Sequence, residues 1–126
     1  MDPVRHTFPK KERLCGRSDI SRLLAKGRFS DVQGGVIRFC HLSDTGSGLN
    51  RMMVSVPKKL FRRAVARNLM KRRIREAWRL RKGELASVGH DVLIIYICKR
   101  QVEFNEIYES VGRMISKMNA DESSRA

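Results

Sequence analysis

Between Lys58 and Lys82 the chain carries 12 lysines and arginines in 25 residues, against a single acid, Glu76. Like charges one helical turn apart repel, so a segment of this kind is ordered only if something else holds it. Ala66, Met70, Ile74 and Ala77 supply that something, because they recur at helical spacing and form an apolar arc. The spacing predicts a long helix with Asn68, Lys71, Arg72, Arg75 and Arg79 on a second arc, facing mostly away from the first. Arg73 falls close to the apolar arc and is expected to snorkel to its edge. Such a helix must lay its apolar side on a partner surface while a row of cations stays outside.

The rest of the chain can provide that surface. Asp91–Cys98 is continuously apolar and rich in β-branched residues, as expected of a central strand buried on both faces. Val36–Leu42 and Met52–Val56 read as two further strands, the second stopped by Pro57. Residues 43–48, Ser-Asp-Thr-Gly-Ser-Gly, form a turn-rich connection and suggest a hairpin between those two strands. A first helix is expected with Ser18 as N-cap, Asp19 in its first turn, Ile20, Leu23 and Leu24 as its apolar side, and Gly27 as its stop. Phe104, Ile107, Tyr108, Val111, Ile115 and Met118 define a closing amphipathic helix. The expected fold is therefore α+β: one domain over residues 1–119, a sandwich of a small mixed sheet of three to four strands with about three helices, in the order α-β-β-(β)-α-β-α. Residues 1–16 read as an irregular basic lead-in and 120–126 as a polar tail.

Charge narrows the function. The 27 lysines and arginines against 13 acids leave a net charge of +14 in 126 residues. Charge this lopsided opposes compaction and calls for an anionic partner, nucleic acid first and an anionic membrane surface second. A merely solvated helix face mixes signs along its length, and this one does not. Arginine dominates the row, and its planar guanidinium binds phosphate bidentately and stacks on bases. A helix-turn-helix arrangement for DNA fits poorly, because strand-like segments rather than a short turn flank the basic helix. The longest apolar run, Val92–Cys98, is far below the roughly 20 residues of a membrane-spanning helix. No secretory signal is seen at the N-terminus, so a cytoplasmic location is expected. Cys15, Cys40 and Cys98 are odd in number and lack a C-x-x-C pair, which argues for reduced thiols rather than disulfides or a cysteine zinc site.

No catalytic constellation emerges. His6, His41 and His90 lie in no metal or acid–base motif, and Asp19, Asp31, Asp44 and Asp91 are scattered. A histidine pair assembled from distant segments is conceivable, but ordinary surface or strand-end histidines are expected. Gly46-Ser47-Gly48 lacks the Gly-Lys-Ser/Thr ending of a phosphate loop. The chain is expected to hold no catalytic residue, metal or cofactor by itself.

The stretch from Val56 to Arg79 contains Lys58-Lys59, Arg67-Asn68, Lys71-Arg72 and Arg75-Glu76, followed by the aromatic Trp78. This order closely resembles the signature of the protein subunit of bacterial ribonuclease P. Arg13-Leu14, Ile20, Leu24 and Gly27-Arg28 resemble that family's first helix and flanks, and Asp91–Cys98 with Lys99-Arg100 resembles its last strand. Three positions depart from the pattern: Leu69 stands where a third arginine is usual, and Ile20 and Leu24 stand where aromatic residues are frequent. The resemblance implies a ribosomal-protein-type RNA-binding fold and a subunit that assists cleavage of the 5′ leader from precursor tRNA, with magnesium and chemistry held by the catalytic RNA. It implies RNA binding by Arg67, Asn68, Lys71, Arg72 and Arg75, with Lys58, Lys59, Arg62, Arg63 and Arg79 completing the cationic surface. It further implies a groove for the single-stranded leader at Ile20, Leu24, Val36 and Arg38, one protein per catalytic RNA and no membrane contact. The competing reading is a structural ribosomal-type RNA-binding protein with no part in cleavage; a protein-only nuclease would need a residue set that is not found.

Overall fold

The computed structural model describes residues 8–32, 34–43 and 45–125. Helix α1 spans Arg17–Lys26, strands β1, β2 and β3 span Arg28–Asp31, Ile37–Leu42 and Arg51–Ser55, helix α2 spans Ala64–Arg81, strand β4 spans Asp91–Tyr96, and helix α3 spans Phe104–Arg125. The sheet has four strands, but the extra one is β1, which precedes the two strands read from the sequence instead of following them; it is a short edge strand joined to β2 through a turn in which Gly34 and Gly35 both take positive φ. Residues 120–125 of the polar tail continue α3. His6 and Asp44 lie outside the described residues.

The sheet order is β1-β2-β4-β3, with β4 antiparallel to β2 and parallel to β3. The expected hairpin between β2 and β3 is therefore wrong. The reason is the apolar content of β4: Val92 to Ile94 and Tyr96 are all buried, so this strand takes the centre and separates the two. Helix α2 then serves as the crossover between the parallel strands β3 and β4. Residues 45–50 dock beside the entry to β4 instead of forming a tight turn. Thr45 N–H donates to the Gly89 carbonyl, and the Asn50 side chain bonds both the His90 N–H and the Ser87 carbonyl.

Two apolar layers result. Phe39, Met52, Val92, Ile94 and Tyr96 on one sheet face meet Met70, Ile74, Ala77 and Trp78 of α2 and Ile107, Val111, Met114 and Ile115 of α3. On the other face, Leu14 and Leu23 of the α1 side pack with Cys40 and Leu93, and Ile20, Leu42, Met53 and Ile95 border them. Helix α1 begins two residues before the expected position: Gly16 is the N-cap, and Ser18 lies inside the helix. Gly27 does end α1, but with φ −71° its role is close approach rather than a left-handed turn. A Cβ there would lie 2.4 Å from the Leu23 carbonyl oxygen and 2.6 Å from Cys40 Sγ.

A buried ion network fixes α1 to the sheet. Arg51, at the start of β3, donates from Nε and Nη2 to the two oxygens of Asp91 at 2.8 and 2.9 Å, and from Nη1 to Asp19 of α1 at 2.9 Å. Arg22 of α1 reaches Asp19 at 3.3 Å and Asp91 at 3.8 Å. The Asp91 side chain is fully buried, and that of Arg51 is 15% exposed. Its hydrogen bonds to Asp91 push the Arg51 pKa above its ordinary value despite the opposing cost of desolvation.

Candidate RNA interface

Along α2, burial falls on Met70, Ile74, Ala77 and Trp78, so the apolar arc is where the spacing puts it and Trp78 joins it. Ala66 is only partly buried. Arg73, the misplaced cation, snorkels as expected: its Nη1 donates to the Val102 carbonyl ahead of α3. Opposite the core, Asn68, Arg72 and Arg75 are exposed, and Arg79 is partly so. Their spacings of four, three and four residues make one stripe. Among the described residues Arg72 and Arg75 have no ion-pair partner, whereas Arg79 is bound by Glu76 one turn before it. That contact also draws the Glu76 carboxyl below its ordinary pKa.

The other proposed contacts lie around this stripe with different duties. Lys58, Lys59, Arg62 and Arg63 are exposed in the turn leading into α2. Arg67 is turned inward enough to donate to the Phe61 and Arg62 carbonyls at 2.8 and 3.0 Å, tying that turn to the helix. Lys71 is partly buried at the shoulder of the stripe. Leu69 is half-buried and packs on the main core, so the departure from the usual triplet sits at the rim of the helix.

Sequence reasoning missed one wall of the site. The lead-in is not wholly irregular: Lys10–Glu12 forms a 3-10 turn, Arg13 bridges Met52, and the Leu14 N–H bonds the Met52 carbonyl. This path brings Phe8 and Arg13 against the stripe, with the Arg13 guanidinium 5.2 Å from the Phe8 ring centroid. Together with Asn68, Arg72, Arg75 and Arg79 they line a concavity of about 420 Å³ that also contains Glu76. An aromatic Phe8-Pro9 inside an otherwise basic lead-in was the available signal.

The proposed leader groove is only partly assembled from its four residues. Leu24 is 50% exposed on α1, Ile20 is half-buried beside it, and Arg38 is exposed on β2. Val36 does not belong with them: it is buried in the main core, on the α2/α3 side. The unforeseen member is Phe29. It is 45% exposed on β1, pairs in register with Cys40 beneath the end of α1, and lies 5.7 Å from the Arg38 guanidinium. Ile97, after β4, adds a further exposed apolar group. The alternation of β2, with Ile37 and Phe39 inward and Arg38 outward, was the signal that puts Arg38 and not its buried neighbours on the open face.

The fold does unite two distant histidines. His41 Nε2 lies 2.7 Å from His90 Nδ1, and His90 Nε2 lies 2.9 Å from the Ser87 hydroxyl. His90 is buried, so the pair sits at the end of β2 as a packed contact rather than at the cationic surface.

The sequence profile of the Ribonuclease P family matches residues 8–119. A ribonuclease P protein component from Porphyromonas gingivalis is 38% identical over 117 residues, covering 91% of this chain and 85% of its own. The structure of the Staphylococcus aureus RNase P protein aligns with TM-score 0.67 at 25% identity, covering 85% of this chain and 94% of the other. The RNase P protein from Thermotoga maritima shares the fold, with TM-score 0.71 at 24% identity over 84% and 96% of the two chains. The cationic α2, the sheet that carries it and the surrounding chain thus match one family along nearly their whole length, and the protein belongs to the ribonuclease P protein family.

Proposed function

We propose that this chain is the protein subunit of ribonuclease P, the tRNA 5′-processing endoribonuclease whose catalysis lies in its RNA. The observation that carries the reading is the α2 stripe, in which Arg72 and Arg75 lack acidic partners among the described residues within a domain matching the family from residue 8 to 119. Cations held without acids on a packed helix neutralise phosphates, and thereby lower the repulsion between a catalytic RNA and an RNA substrate. Lys58, Lys59, Arg62, Arg63, Arg67, Asn68, Lys71 and Arg79 extend the same surface.

The single-stranded leader of precursor tRNA lies on the open face formed by Leu24, Phe29, Arg38 and Ile97, with Ile20 beneath its rim. Apolar side chains there receive bases and sugars, and Arg38 receives a phosphate. Magnesium and the cleavage step belong to the RNA, one protein serves one RNA, and the work is done in the cytoplasm. The test is to add the protein to bacterial ribonuclease P RNA and precursor tRNA at low magnesium. Restored 5′ cleavage is the expected result; equal failure with and without the protein refutes the proposal and returns the chain to a structural RNA-binding role.

A further inference from the structure

The concavity walled by Phe8, Arg13 and the α2 stripe differs in kind from the rest of the cationic surface. Lys58, Lys59, Arg62 and Arg63 are exposed charges on a turn, suited to following a phosphate backbone. The concavity encloses about 420 Å³, within the range of small-molecule sites. It also has three features that a phosphate track does not need. Phe8 and the Arg13 guanidinium form an aromatic–cation pair, a flat surface for a nucleobase. Asn68 offers an exposed carboxamide with both donors and an acceptor. Glu76 places a carboxylate in the wall, a hydrogen-bond acceptor for which a phosphate track has no use. Arg72 and Arg75, which have no acidic partner among the described residues, are left to hold an anion.

We infer that this concavity is a nucleotide pocket, in which one unpaired nucleotide turned out of the catalytic RNA places its base against Phe8 and Arg13 and its phosphate on Arg72 and Arg75. The inference rests on the RNA-subunit reading above and adds a discrete site to it. The nucleotide must be unpaired, because a duplex of A-form RNA buries the base faces that the pocket would stack on. Asn68 reads the edge of that base. Arg79 holds Glu76, which keeps the carboxylate from competing for Arg72 and Arg75.

The experiment uses the full-length protein and titrates it with AMP, GMP, CMP and UMP, with ribose 5-phosphate and with inorganic phosphate, following the Asn68 side-chain amide by NMR. Base stacking is worth a factor of roughly 5 to 100, so at least one nucleotide should bind that much more tightly than ribose 5-phosphate. Phe8→Ala should abolish the margin, Asn68→Ala should level the four nucleotides, and Arg72→Ala should weaken every ligand including phosphate. If Phe8→Ala does not fold, Arg13→Ala carries the same test, since its side chain is exposed. Equal binding of nucleotides and ribose 5-phosphate would overturn the pocket, as would a margin that survives these substitutions. Binding of ribonuclease P RNA, measured alongside, separates the two claims: tight RNA binding without a nucleotide margin removes the pocket alone, whereas lost RNA binding removes the subunit reading.

Discussion

Arginine does opposite work at the two ends of this molecule. Where α1 meets the sheet, Arg51 and Arg22 are bound by Asp91 and Asp19, and the charges cancel inside the fold. On the outer stripe of α2, Arg72 and Arg75 stand without acids among the described residues, and only Arg79 has one. A buried pair is expensive to break, because removing one partner strands a desolvated charge. An unpaired surface guanidinium adds almost nothing to stability, and in a chain of net charge +14 it opposes folding through repulsion. The difference teaches that arginines paired to a buried acid belong to the fold, whereas those left without acids on the α2 stripe belong to a partner.

The strongest way to break that contrast is Asp91→Ala. It should cost about 3–5 kcal/mol in urea unfolding, because Arg51 and Arg22 are left facing one another without their shared acid. RNA binding by the folded fraction should survive. Leu69→Arg should cost less, about 1 kcal/mol, since the new stem can lie along the core's rim while its head reaches the solvent. It should also tighten RNA binding; a collapse of the fold would place Leu69 inside the core rather than at its edge. Arg67→Ala falls between the two classes and sharpens the comparison. Its bonds to the Phe61 and Arg62 carbonyls predict a loss of about 1 kcal/mol together with weaker RNA binding, so a purely electrostatic effect with an unchanged melting curve would show those bonds to be idle.

The smallest effect concerns Tyr96, whose hydroxyl donates to the Arg100 carbonyl and whose pKa burial pushes well above its ordinary value of 10. The unfolded chain releases this proton above pH 10 while the fold retains it, so stability should decline as pH rises past 10. Comparing the pH dependence of wild type with Tyr96→Phe by thermal melting isolates the contribution. Identical slopes above pH 10 would mean that Tyr96 ionises as easily in the fold as out of it.

Much of this was legible in local patterns. The period of Met70, Ile74 and Ala77 gives α2 its face, and the unbroken apolar run at Val92–Tyr96 gives β4 its central place. Neither pattern reveals which strands flank β4, because pairing is a long-range choice; the short-range hairpin signal at residues 43–48 misled for that reason. Val36 was misassigned to the open face because it precedes β2, where strand alternation no longer fixes the direction of a side chain. Phe29 and Phe8 escaped notice because each gains its role only from a neighbour distant in sequence or beyond its own element, Arg38 for the first and the α2 stripe for the second. The His41–His90 contact spans 49 residues and leaves no mark in either local sequence.

The central claim is that the unpaired arginines of α2 are reserved for RNA. Its most direct test is the slope of log affinity against log salt for ribonuclease P RNA, measured for wild type and for the double variant Arg72→Ala/Arg75→Ala, with melting curves of both. Each phosphate contact contributes about one unit of slope, so the double variant should lose about two units and bind more weakly at low salt, with an unchanged or slightly higher melting temperature. An unchanged slope accompanied by a lower melting temperature would contradict the account, because it would make these arginines part of the fold and leave the RNA surface elsewhere.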